Sequence, residues 1–209
     1  MYDSKDFNWL HIAKEIQSIA QAGLAYSENK YDLDRYRQLR EMSVRILAAY
    51  SDAPVDKIRD LFACEEGYQT PKVDIRAVVF RGGKILMVKE SNDGKWTLPG
   101  GWADVNYSPF EVAKKEVSEE AGIIVKPIRL LAVFDKMKHA HPPDIYHVYK
   151  LFILCKDSGE AVKPGMETTD AAWIERDAIP PLSGLRITKE QILTMFEFLN
   201  DPEKDVLCD

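Results

Sequence analysis

Several things are scarce or missing in this chain, and each shortage closes a class of explanation. Among 209 residues there are only three cysteines, Cys64, Cys155 and Cys208. Their number is odd and their spacing fits no zinc-ligand pattern, so neither a disulfide framework nor a cysteine-bound metal is expected. No apolar run approaches the roughly 20 residues that span a bilayer, so no membrane partner is expected either. The opening "MYDSKDFNWLHIAKEIQ" lacks the basic start and apolar core of a secretory signal, and a reducing, cytoplasmic compartment is the simplest expectation. Excess positive charge is missing too: 28 Lys and Arg against 34 Asp and Glu leave a net charge of −6. That removes any general electrostatic pull on nucleic acid, while leaving room for a local basic patch. Repeats and low-complexity tracts are absent. What is present, at 45% hydrophobic and 30% charged, is the composition of an ordinary globular protein.

The texture changes once along the chain. Residues 1–65 read as a helical unit. Ile12, Ile16, Ile19, Ala20 and Gly23 follow one helical face, and after the "SENKYD" break Tyr36, Leu39, Ser43, Ile46, Leu47 and Tyr50 follow another. A short third helix is expected to begin near Pro54, with Val55, Ile58, Leu61 and Phe62 inward. Three short helices make a thin core, so the unit is expected to pack on other structure or on a second subunit. Residues 66–72, inside "ACEEGYQTPK", read as the linker. Residues 73–204 form the second domain. In it "VDIRAVVF" and "KILMVKE" read as strands joined by a hairpin at "RGG". "KWTLPGGWADVNYSP" is loop, Ser108 and Pro109 open a helix that Gly122 closes, and "IRLLAVFDK", "IYHVYKLFILCK" and "AAWIE" are further strands. "TKEQILTMFEFLN" is a closing helix capped near Thr188. The fold class is therefore α+β, with strands gathered around one acidic helix.

That acidic helix, "AKKEVSEEAGI", sets Glu116, Glu119 and Glu120 on one face, where like charges cost roughly 0.2–0.5 kcal/mol per pair. They also crowd its C-terminal end, where the macrodipole disfavours anions. A solvated acidic face is one explanation. A hard divalent cation, which takes oxygen ligands and binds phosphates directly, is the other. The glycines just upstream favour the second, because an acidic face alone does not account for Gly100 and Gly101.

In these residues the sequence resembles the Nudix hydrolases, whose box runs G-x5-E-x7-R-E-U-x-E-E-x-G-U. Gly101 takes the first glycine, and Glu116, Val117, Glu119, Glu120, Gly122 and Ile123 follow at the family's spacing. Two positions depart: Tyr107 stands where the family has a glutamate and Lys115 where it has an arginine. In the family those two commonly pair and hold loop and helix in register. The helical front, "GGWADV", the "HPP" loop and "IPPLSGLRIT" are similar to a subgroup with a helical extension. That subgroup includes bacterial CDP-choline pyrophosphatases and ADP-ribose-type hydrolases.

The resemblance implies a Nudix fold, a mixed sheet sandwiched by helices with a catalytic loop–helix–loop, behind a small all-α domain. It implies a Mg²⁺- or Mn²⁺-dependent pyrophosphohydrolase of a nucleoside diphosphate linked to a group X, with CDP-choline or ADP-ribose as X-conjugates. Glu116, Glu119 and Glu120 are the implied metal ligands, with the Gly101 carbonyl completing the set. The base is a carboxylate on the helix, Glu119 or Glu120, or Glu167 from the "GMETTD" loop; a loop glutamate such as Glu167 is more often merely solvated. For the substrate, Arg76 offers a phosphate partner or else faces solvent from the sheet, and Lys89 flanks the approach to the glycines. Trp96 stacks on a base or packs in the core. His139 and His141 meet a phosphate or nucleobase, or simply face solvent. Lys114 and Lys115 read as helix-surface charges. A homodimer through the N-terminal helices is expected. Competing readings are a catalytically weakened nucleotide sensor, suggested by Tyr107 and Lys115, and an RNA-processing enzyme, for which "DKMKHAH" is the only basic track.

Overall fold

The structure is a computed structural model that describes residues 8–50, 58 and 66–209. It divides into two compact units. One comprises the chain up to Pro71 together with Pro143–His147, and the other comprises Lys72–Pro142 and Val148–Asp209.

In the first unit, α1 (Trp9–Tyr26) starts at Asn8, whose carboxamide oxygen accepts from the Leu10 and His11 N–H groups. Helix α2 (Lys30–Tyr50) follows after a three-residue turn. The buried face of α1 is Leu10, Ala13, Gln17, Ala20 and Gln21, not the isoleucine face; Ile19 is 54% exposed. Small residues explain the difference. A Cβ on Gly23 would fall 2.4 Å from the Tyr36 ring, so the two helices meet where side chains are smallest. The Ser43 hydroxyl donates to the Ala13 carbonyl at 2.7 Å. Leu10, Ala13, Val44, Leu47 and Ile58 form the core, with Ile145 and Tyr146 packed against it. Of the third helix expected near Pro54, only Ile58 lies within the described residues; it is helical and buried.

In the second unit, β1 (Lys72–Arg81) and β2 (Lys84–Glu90) form the expected hairpin. Gly82 and Gly83 both take positive φ at its turn. The sheet runs β3 (Trp96–Thr97), β2, β1, β5 (Val148–Asp157), β4 (Val125–Asp135), β7 (Leu207–Cys208), with β6 (Thr168–Ile174) paired to β2. Strands β1 and β5 are parallel, while β4 and β5 are antiparallel. Helix α3 (Pro109–Ala121) packs Val112, Ala113, Val117 and Ala121 against one face with Ile75, Ala77 and Val79. Helix α4 (Lys189–Asn200) packs Ile192, Met195, Phe196 and Phe198 against the other with Val78, Met87 and Phe152. The α+β sandwich expected from the sequence is therefore present. Because both faces are covered, Ile75 through Val79 are all buried, as in strands at the centre of a layered fold.

The glycine segment completes the sheet beside β1. Ile75 N–H donates to the Gly101 carbonyl, Ala77 N–H to Pro99 and Ala103 N–H to Val73, each at 2.8 Å. Gly100 has φ +143°, and a Cβ there would lie 1.9 Å from the Ile75 carbonyl oxygen. Only glycine permits this approach.

Candidate active site

Helix α3 is framed as its sequence dictates. The Ser108 side chain and Glu111 form a capping box, Pro109 sits in the first turn, and Gly122 closes the helix at φ 65° in the left-handed region. This frame aims three glutamates in different directions. Glu120 points inward, 7% exposed, and its carboxylate accepts the Gly100 N–H at 2.9 Å. Glu116 lies over Gly101, its carboxylate 3.4 Å from where a Cβ on that glycine would sit. Glu119 points out, with 59% of its side chain exposed.

Burial pushes the Glu120 carboxyl up to about 8; the Gly100 N–H and Arg76 oppose this, while Glu116 and Glu90 add to it. Glu116 is likewise raised, first by burial and then by Glu119, with Lys115 working against both. Glu116 and Glu120 repel each other, and the donors beside the glycines are all oxygen, a set that fits a hard divalent cation. Among the described residues, no three acidic or imidazole side chains already converge as a metal cage. The Gly101 carbonyl already accepts from Ile75, which leaves one lone pair for another partner.

Beneath the glycines lies a cluster of charges. Arg76 is 3% exposed; its guanidinium donates twice to Asp74, at 2.7 and 3.0 Å, and to the Leu98 carbonyl at 3.1 Å. Lys150, also buried, pairs with the same Asp74. Burial pulls the Asp74 carboxyl upward, but Arg76 and Lys150 outweigh it and hold the group below its ordinary range. Arg76 thus spends its hydrogen-bond donors on the protein, on a face covered by α4 and not open to solvent.

The remaining sequence-chosen residues are spread around this centre. Glu167 is exposed, and its carbonyl accepts the Ser91 N–H. Lys89 is half-buried and pairs across strands with Trp96. The half-buried Trp96 ring packs against the Val78–Met87–Phe152 core. His141 sits between the Gly184 carbonyl, 2.7 Å away, and the Gln191 carboxamide, 3.2 Å away. Burial lowers it to about 4, so its imidazole is neutral. His139 meets the Asp209 carboxylate at 3.2 Å and the Phe134 ring.

Other members were not found from sequence. Glu90 ends β2 only 5% exposed, with Arg186 at 2.9 Å, and it interacts electrostatically with Glu120, Glu167 and Arg76. An acid closing an apolar strand was the only available signal. Arg186 comes from a distant loop and donates to the Ser183 hydroxyl, which in turn donates to Asp93 in the β2–β3 turn. Asp104 takes the Lys115 ammonium at 2.7 Å, and that ammonium also lies 5.9 Å from the centroid of the Tyr107 ring. The two residues that depart from the box therefore still tie loop to helix, with Asp104 supplying the acid. The loop before β6 is fastened to α3 as well. Lys163 N–H donates to the Ala121 carbonyl and the Thr168 hydroxyl to the Glu120 carbonyl. A Cβ on Gly165 would lie 1.6 Å from the Glu119 carbonyl.

Residues 8–62 match the family model described as a UDP-X-like N-terminal oligomerisation domain, and residues 70–196 match the NUDIX domain. The chain is 45% identical to the Bacillus subtilis (strain 168) protein named "Putative ADP-ribose pyrophosphatase YjhB", over 96% of this chain and 97% of that one. Among solved structures, it is similar to a UDP-X diphosphatase (30% identity, 96% of this chain and 98% of that one, TM-score 0.62). It is also similar to an ADP-ribose pyrophosphatase from Streptococcus suis 89-1591 (41% identity, 67% of this chain and all of that one, TM-score 0.61).

Proposed function

Since the chain belongs to the Nudix hydrolases, which act on phosphoric anhydride bonds, we propose that it cleaves a nucleoside diphosphate linked to X, giving a nucleoside monophosphate and phospho-X. ADP-ribose is the first candidate, because two similar proteins carry that name, and UDP- and CDP-linked conjugates, CDP-choline among them, come next. The observation that carries the reading is Glu120 held against Gly100 with Glu116 over Gly101: two carboxylates fixed beside the glycine backbone.

In this reading Glu116, Glu119, Glu120 and the Gly101 carbonyl would hold Mg²⁺ or Mn²⁺. The cation, when bound, offsets the charge of the pyrophosphate oxygens and acidifies water. The protein's own part is positional. Gly101 offers half-buried bare backbone beside Glu116, and the Gly100 N–H holds Glu120 in place. Water adds to one phosphorus as the bridging P–O bond breaks. The base that accepts the water's proton is a carboxylate, Glu119 or Glu120 on the helix or the exposed Glu167, which lies near Glu90. Arg76 acts from below, through its charge on Glu120. Lys89 is the remaining substrate-side candidate, because the Trp96 ring packs in the core and both His141 ring nitrogens meet protein partners. The N-terminal unit supports a homodimer, in keeping with the family description it matches.

Glu120→Gln should reduce nucleoside monophosphate release from ADP-ribose by about 10³-fold or more while leaving the circular dichroism spectrum unchanged. The assay is a panel of nucleoside diphosphate conjugates with Mg²⁺ or Mn²⁺, with products identified by mass. Tight binding without turnover across that panel would instead favour a nucleotide sensor, and turnover only of RNA ends would favour an RNA-processing enzyme.

A further inference from the structure

Lys115 lies at the edge of the glutamate face. Its ammonium is 2.7 Å from an Asp104 carboxylate oxygen, 3.7 Å from Glu119 and 4.0 Å from Glu116. Only the first is a hydrogen-bond distance; the other two are at the outer limit of an ion pair. The Tyr107 ring, 5.9 Å away, adds a weaker hold on the loop side. An ammonium on a four-carbon stem is a mobile point charge that changes acceptors by rotating its chain, unlike the fixed fork of a guanidinium. Without Asp104, the nearest acceptors for it among the described residues are Glu119 and Glu116, whose oxygens a divalent cation would also need.

We propose that Asp104 is a positioning residue: it parks the Lys115 ammonium on the loop, off Glu116 and Glu119, and so sets how tightly those glutamates take a divalent cation. The inference rests on the assignment of Glu116 and Glu119 as metal donors in the proposed function. It gives the Asp104–Lys115 contact a task beyond holding loop to helix. Asp104→Asn frees the lysine to compete with the metal, whereas Lys115→Met removes the competitor.

The test is Mn²⁺ binding to the substrate-free protein by calorimetry at low ionic strength, with melting temperature recorded for each variant. Asp104→Asn should weaken Mn²⁺ binding about fivefold with an unchanged melting temperature, and Asp104→Glu should restore it. Lys115→Met should bind at least as tightly as the parent, and adding Asp104→Asn to it should change nothing further. Equal weakening by Asp104→Asn in both backgrounds would show that Asp104 acts only through its own charge, and would overturn the proposal. So would unchanged binding in Asp104→Asn when Glu116→Gln abolishes it. Mn²⁺ binding that ignores Glu116→Gln would overturn both this inference and the metal assignment beneath it.

Discussion

Two charge clusters flank the Gly100–Gly101 segment, and they differ in solvent. Below it, Asp74, Arg76 and Lys150 are all under 5% exposed. Above it, Asp104, Lys115 and Glu119 have side chains 48%, 33% and 59% exposed. Both clusters contain direct carboxylate–cation contacts. In the buried cluster each charge depends on the others, because water cannot replace a missing partner. In the exposed one water and salt substitute readily, so the same kind of contact governs where a charge rests more than whether the protein folds. Chemistry of one sort thus serves as scaffold on one side of the glycines and as adjustment on the other.

The largest expected effect tests the scaffold half. Asp74→Ala strands Arg76 and Lys150 in the interior and should cost about 3–5 kcal/mol in urea unfolding. Asp104→Ala should leave the urea midpoint nearly unmoved. Equal midpoints for the two variants would break the contrast between the clusters. The next effect is acid sensitivity. His141 is held neutral by burial and by the Lys150 and Lys136 charges, down to about 4, against an ordinary value of 6.5. Its contribution to stability is therefore complete above pH 6.5 and is lost as pH falls toward 4, because the unfolded chain accepts a proton that the folded chain refuses. His141→Gln should flatten the urea midpoint over that window; an unchanged slope would mean that this ring is not shielded. The smallest effect sharpens the exposed half. Tyr107→Glu with Lys115→Arg rebuilds the pair common in the family beside an Asp104 already in place, and should change kcat/KM by no more than about threefold. A gain of two orders of magnitude would show that the natural residues limit the reaction.

The frame of this site was legible in the sequence because local chemistry writes it. Ser108, Pro109 and Gly122 each have one dominant use at a helix end, and each is used so here. The glutamate spacing put three acids on one face, although not their divergence: Glu120 turns in because Gly100 offers it an N–H, a fact of tertiary structure. Arg76 could not be read. Alternation along a strand tells inside from outside only when one face meets water, and β1 is buried on both. Lys150, which shares Asp74 with Arg76, stands on a strand more than seventy residues away, brought alongside by the parallel register of Asp74 and Lys150. Asp104 escaped for a related reason. Loop-to-helix contacts have no period, and Asp104 stands at a position the box does not specify. In α1 the isoleucines suggested the wrong face because helix packing here rewards small residues over large ones.

The anchoring of the loop before β6 also bears on how such sequences can diverge. Surface loops usually absorb insertions and deletions without harm. This one is pinned at Lys163, Gly165 and Thr168 to the last carbonyls of α3, so a residue added within that stretch would push Glu167 out of step with the helix. Length variation among homologous chains should therefore gather at Ser158 and Gly159, ahead of the first anchor, while the spacing from Lys163 to Glu167 stays constant.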